Sequence, residues 1–219
     1  MRVYLMSNII VYQMGKVGSR SVQRDLINAG IDAGHTHRLD RVKNPTPNDK
    51  YISPVRDPVA RNLSAFFHNI TKFDKHYLQY SVKDSQRLVD LLISKYPPEI
   101  CLNWFENKIE PFLGIDVYNT LFNEYAIYDN KLLVFRIEDY NNKGNKYIKE
   151  FLNIDIKLSH IHRTVEQHRK AAPYYRWSKT NGVISQSYLE KVYNSRFARH
   201  FYSFEEIEEF INYWSKVPR

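Results

Sequence analysis

The chain has 219 residues, a single cysteine and a formal net charge of +8. This length suits one domain that buries roughly 70% of its unfolded surface, and the lone Cys101 rules out an internal disulfide and fits a reducing compartment. The charge favours acidic partners (nucleotides, sulfated or phosphorylated sugars, nucleic acid or a membrane surface), while the lack of any dense lysine or arginine run argues against a basic unfolded tail.

The opening segment MRVYLMSNIIVYQMGK does not read as a signal peptide. Ser7, Asn8 and Gln13 interrupt its apolar residues and no small-residue cleavage site follows. No apolar run approaches the ~20 residues of a membrane span, so the expectation is a soluble, cytoplasmic protein. NIIVYQM (8–14) is short, apolar and β-branched, and reads as a buried strand. SRSVQRDLINAG (19–30) reads as a helix with Val22, Leu26 and Ala29 on one face, stopped by Gly30. DAGHTH (32–37) is a second short strand, and the prolines and asparagines of 42–49 make a loop. KYISPVR (50–56) is a third strand, with a helix from Pro58 to Ile70. Residues 73–125 read as mostly helical, an insertion or lid over the sheet. KLLVFRIED (131–139) is a strong strand, 142–154 an amphipathic helix, and 159–182 the least legible segment. Two closing helices follow, over 185–202 and 203–214, and Ser203 with Glu206 forms a capping box for the second. Strands alternating with helices predict an α/β domain with a mainly parallel sheet.

The stretch QMGKVGSRS (13–21) sits where a strand passes through a glycine turn into a helix. Backbone N–H groups converge at such a turn and the helix dipole favours an anion there. Gly15 and Gly18 permit close backbone approach, and Lys16 supplies a mobile positive charge. A Walker A loop places lysine directly after its second glycine. Here the lysine precedes Gly18, no G-K-[ST] occurs anywhere, and the Rossmann G-x-G-x-x-G is absent.

The order Lys-x-Gly-Ser resembles the 5′-phosphosulfate loop of sulfotransferases that use 3′-phosphoadenosine 5′-phosphosulfate (PAPS). A second stretch, YISPVRDPVARNLSAFF (51–67), resembles the 3′-phosphate motif of that family, in which a strand ends in arginine and a serine lies eight positions on. Arg56 and Ser64 have that separation. RDP followed by arginine and S-x-F looks like the carbohydrate sulfotransferases, and LLVFRIEDYN (132–141) resembles a further strand of the same enzymes, with Glu138 in a supporting role. The likeness covers about residues 8–70 and 131–155. The chain also looks like a bacterial group assigned to capsular polysaccharide synthesis that shares QMGKVGS.

The resemblance implies a three-layer α/β/α architecture around a central mainly parallel sheet: a P-loop-like sulfotransferase fold, a single domain over 1–219 with a helical insertion at about 73–125. It implies PAPS as co-substrate and PAP (3′,5′-adenosine bisphosphate) as product. No metal, nucleic acid or membrane span is expected, and the acceptor is a carbohydrate hydroxyl. Gly15, Lys16, Val17, Gly18, Ser19, Arg20, Ser21, Arg56 and Ser64 would bind the nucleotide. Arg20 departs from the family's usual threonine or serine; it either adds a charge or leaves the contact to Ser21. Arg61, three residues before Ser64, either shares its face or caps a solvated one. The adenosine-covering loop is not legible, and Arg163, Arg169 and Lys170 are candidates by charge alone.

Sulfuryl transfer needs a base for the acceptor proton and a cation at the leaving oxygen; Lys16 suits the second role. In GHTHRLD (34–40), His35 and His37 would share a strand face. The heparan sulfate 2-O-sulfotransferases are similar here, and that likeness implies His37 as the base, with His35 second. HIHR (160–163) repeats the pattern but lacks cysteines and a recognised zinc spacing. His168 and His200 read as surface residues. Trp104, Tyr174, Tyr175 and Trp177 either stack on a sugar or belong to the core. Two other readings stay open: a P-loop kinase or nucleotide hydrolase with an altered loop, and a basic module binding anionic glycan or nucleic acid without catalysis.

Overall fold

The computed structural model describes residues 8–38, 42, 46–155 and 170–216. The first elements are β1 (Ile9–Tyr12), α1 (Ser19–Asn28), β2 (Ala33–Thr36), β3 (Lys50–Val55) and α2 (Pro58–His68). Next come α3 (Gln86–Lys95), α4 (Glu99–Leu102), α5 (Glu110–Leu113), β4 (Tyr125–Tyr128), β5 (Leu132–Arg136) and α6 (Tyr140–Leu152). The chain closes with α7 (Ala172–Asn181), α8 (Gln186–Tyr193), α9 (Arg196–Phe201) and α10 (Phe204–Ser215). It forms two compact units: Met1–Arg56 with Phe112–Thr164, and Asp57–Pro111 with Val165–Arg219. The expected insertion at 73–125 is thereby divided, with 73–111 in the second unit and 112–125 in the first.

The first unit holds a five-stranded sheet in the order β2-β1-β3-β5-β4, parallel except for β4, which pairs antiparallel with β5. This is the α/β fold with a mainly parallel sheet read from the sequence. Val11, Ile52 and Leu133 lie side by side in register and are fully buried. Val22 and Leu26 of α1 pack on that face with Tyr140, Tyr147, Ile148 and Phe151 of α6. The residues of the other face, Ile10, Tyr12, Tyr51, Val55, Leu132 and Val134, are buried as well, so the strands read as continuous apolar runs. Helix α1 ends in a Schellman motif: Gly30, at φ 82°, donates to Ile27 O and Ile31 donates to Leu26 O.

Strand β4 is not among the expected strands: it starts at Tyr125, the last residue of the segment read as mostly helical, and runs to Tyr128. The turn Asp129-Asn130 explains it. Both residues have positive φ, 50° and 52°, and the Lys131 N–H donates to Tyr128 O at 2.8 Å. That geometry suits a hairpin, and it turns YAIY back along β5.

In the second unit α2 is buried along most of its length. Asp57 caps it, accepting from the Val59 and Ala60 N–H groups, and Pro58 takes the first helical position. The same carboxylate accepts from Tyr193 Oη at 2.7 Å and Trp214 Nε1 at 2.9 Å, tying α2 to α8 and α10. The expected helix over 185–202 is two helices, α8 and α9, because the Ser195 hydroxyl caps a new start by accepting from the Ala198 N–H. The capping box of Ser203 and Glu206 is present at α10. Among the described residues, no helix is long and apolar enough to cross a membrane.

Candidate active site

Residues 13–18 carry the chain from β1 into α1. Three of them have left-handed backbone: Gly15 (φ 86°), Lys16 (φ 66°) and Gly18 (φ 71°). Glycine adopts this freely, whereas a lysine held there costs about 1–2 kcal/mol. Gly18 is the N-cap of α1 and contributes no side-chain cap. A Cβ at Gly18 would lie 2.6 Å from Ile137 Cγ1, so the strand-end residue after β5 fixes how closely the loop passes.

Sheet order places this loop. From β1 the chain moves to β2 on one side and then crosses to β3 on the other. The carboxyl end of β1 is therefore the point where strand order reverses, which is where open α/β sheets bind ligands. His35 and His37 arrive from the end of β2 and Arg56 from the end of β3. Arg56 is half-buried, and its Nη1 donates to the Lys16 carbonyl at 3.0 Å. No carboxylate pairs with it among the described residues, so its remaining N–H groups keep an unneutralised positive charge beside the loop. The neighbouring Arg136 is different, since Asp139 Oδ2 lies 2.7 Å from its Nε and Nη2.

Gln13, which the sequence reading passed over as strand, is the centre of the polar network. It is fully buried. Its Oε1 accepts from the Gly15 N–H, which turns its NH2 toward the imidazoles. Gln13 Nε2 lies 3.2 Å from His35 Nε2 and 2.7 Å from His37 Nδ1. The buried Ser19 hydroxyl lies 3.0 Å from His35 Nε2. The amide oriented by Gly15 presents a donor to this ring nitrogen, so His35 Nε2 carries the lone pair and Nδ1 the proton, and the Ser19 hydroxyl can donate to the same lone pair. Burial, then the neighbouring His37 and the Arg20 guanidinium, push the His35 imidazole down from 6.5 to about 4. His37 is exposed, and its Nδ1 also lies 2.9 Å from the Gln13 carbonyl oxygen. The two rings stand edge to face, 5.4 Å apart. A polar residue closing an apolar strand, two positions before a glycine turn, was the available signal for Gln13.

The first unit therefore brings together Gly15 to Ser21, His35, His37 and Arg56. Val17, Ser19 and Ser21 are buried there and Arg20 is exposed. Ser64 belongs to the second unit, buried on α2. Arg61 is buried on the same helix rather than on a solvated face, donating to Asn62 Oδ1 and Tyr96 Oη, each at 3.0 Å. Trp104 and Tyr174 are core residues, and Tyr174 donates to the Tyr80 carbonyl at 2.9 Å. Tyr175 packs against Phe67. His200 is half-buried against Phe201 rather than on the surface. Burial raises the Cys101 thiol to about 11, which leaves it an inert apolar side chain. His160, His162, Arg163, His168 and Arg169 lie outside the described residues; Lys170 is described and exposed.

The chain matches no protein-family model, and neither curated proteins nor solved structures gave a match.

Proposed function

We propose that the chain is a PAPS-dependent sulfotransferase acting on a hydroxyl of a carbohydrate acceptor, with the three-layer, P-loop-like architecture of that family. One observation carries the reading: a left-handed glycine-lysine loop, an arginine with no carboxylate partner among the described residues and a histidine pair converge at the strand-order reversal of one sheet. Residues 15–21 hold the 5′-phosphosulfate through loop N–H groups and the hydroxyls of Ser19 and Ser21. Arg56 takes the 3′-phosphate, the contact to which the resemblance also assigns Ser64. His37 accepts the proton of the acceptor hydroxyl as its oxygen bonds to sulfur. Lys16 meets the charge that develops on the phosphate oxygen as its bond to sulfur breaks, so PAP leaves as the anion. Nothing in this scheme asks the chain to hold a metal.

Calorimetric titration with PAP, 5′-AMP and ATP–magnesium tests the reading. Micromolar binding of PAP with far weaker binding of 5′-AMP supports it. A preference for ATP–magnesium points to a kinase variant of the loop. Binding that falls steeply with salt and does not distinguish PAP from inorganic phosphate points to a basic module without catalysis. Arg56→Ala should weaken PAP binding by about 1.5–3 kcal/mol, the range for a hydrogen bond to a charged group. Unchanged affinity removes the 3′-phosphate role.

A further inference from the structure

We infer that Gln13 is a positioning residue that sets the proton positions of both histidines: its amide holds an unprotonated Nε2 on His35, and it offers His37 Nδ1 either a donor or an acceptor. The inference rests on the proposed reading only in giving His37 the task of base. The geometry itself does not depend on any ligand.

The Gly15 N–H donates to Gln13 Oε1, which settles the orientation of the amide and leaves Nε2 as a pure donor toward the rings. His35 Nε2 receives that amide at 3.2 Å and the Ser19 hydroxyl at 3.0 Å. A proton on that nitrogen would face the amide N–H, so Nε2 is held bare with Nδ1 protonated, and the Ser19 hydroxyl can then donate to the same lone pair. His37 Nδ1 has a choice. Bare, it accepts from Gln13 Nε2 at 2.7 Å; protonated, it donates to the Gln13 carbonyl at 2.9 Å. With Nδ1–H on the backbone carbonyl, Nε2 is bare in the neutral ring and takes the incoming proton, and the same hydrogen bond holds the ring in place before and after. A general base needs that property. The charged and titratable groups acting on His35 are His37 and Arg20, both of which also oppose a second positive charge. The division of labour follows: His37 exchanges the proton and His35 is a fixed acceptor.

Long-range proton–nitrogen NMR of the imidazoles, recorded from pH 4 to 9 on the free protein, tests this directly. The wild-type protein should show His35 Nε2 unprotonated and Nδ1 protonated at neutral pH. Gln13→Glu keeps the acceptor for Gly15 and replaces the NH2 with carboxylate oxygen, so the His35 midpoint should rise by about one to three pH units. The shift should carry a proton onto Nε2. Gln13→Met removes the side-chain amide but keeps the backbone carbonyl, so it should mix the two neutral tautomers of His35 while His37 keeps its proton on Nδ1. A wild-type His35 protonated on Nε2 overturns the inference without any variant, as does a His35 midpoint unmoved in Gln13→Glu. In transfer assays, Gln13→Glu should displace the pH profile of turnover with little change in PAP affinity. Failure of PAP to bind, with the NMR pattern intact, sinks the sulfotransferase reading and leaves the role of Gln13 standing.

Discussion

At the level of single residues, the site places two histidines of one strand end in different electrostatic circumstances. His35 is half-buried, faces His37 and Arg20, and takes its proton only near about 4, against 6.5 when free. The unfolded chain therefore binds the extra proton across the window between those values. Stability should be fully present above pH 6.5 and fall as the pH drops toward 4. His35→Gln should flatten that part of a urea-midpoint profile; an unaltered slope assigns the acid sensitivity elsewhere. Lys16 shows a different tension. Its backbone is left-handed, at φ 66°, although its side chain is the only lysine in the loop. Lys16→Gly should relieve about 1 kcal/mol of strain. Lys16→Gly and Lys16→Ala should both lower turnover more than they lower PAP affinity. Normal turnover in both variants removes Lys16 from the chemistry. His37→Ala should abolish transfer while PAP still binds, and the same phenotype from His35→Ala alone would reverse their order.

Among the elements, the turn between β1 and α1 depends on a close approach rather than on composition. Gly18 combines a φ of 71° with an Ile137 side chain 2.6 Å from where a Cβ would stand. Gly18→Ala should cost about 2–4 kcal/mol, the backbone penalty plus overpacking. Trimming the neighbour in Gly18→Ala/Ile137→Ala should recover the packing part but not the backbone part, so the double-mutant cycle should show coupling. Additive losses would show that Ile137 does not limit the loop. The element boundaries were mostly legible because their chemistry is local: Gly30 ends α1, Asp57-Pro58 opens α2 and Ser203 opens α10. Strand β4 was missed because YAIY is too short to establish a period, although Asp129-Asn130 carried the hairpin signal. The break between α8 and α9 was missed because Ser195 sits inside an apolar pattern that continues across it.

For the molecule as a whole, the RDP stretch divides its duties. Arg56 ends the first unit and faces the loop, whereas Asp57 begins the second and organises its core. The buried Asp57 carboxylate accepts from two helix N–H groups, a tyrosine and a tryptophan. Asp57→Ala should destabilise the protein by roughly 3–5 kcal/mol, since it removes a helix cap and leaves buried donors unpaired. Chemical denaturation followed by tryptophan fluorescence checks this. A loss of about 0.5 kcal/mol or less, the ordinary range for a surface change, would mean that water replaces the carboxylate there.

The α/β class, the parallel core strands, the glycine-lysine turn and the candidate residues at three strand ends could all be read from the chain alone. Each rests on local periodicity, capping or a short motif. Sheet order could not, because pairing β1 between β2 and β3 is a long-range choice that decides which strand ends meet. Nor could the role of Gln13. Its amide is oriented by a glycine two residues on and acts on rings 22 and 24 residues away. The assignment of Ser64 to a different compact unit from Arg56, eight residues earlier, likewise came only with folding. Local pattern decides what an element is and which side chains it carries. Burial and hydrogen bonding between distant segments decide which of those side chains share a proton or a charge.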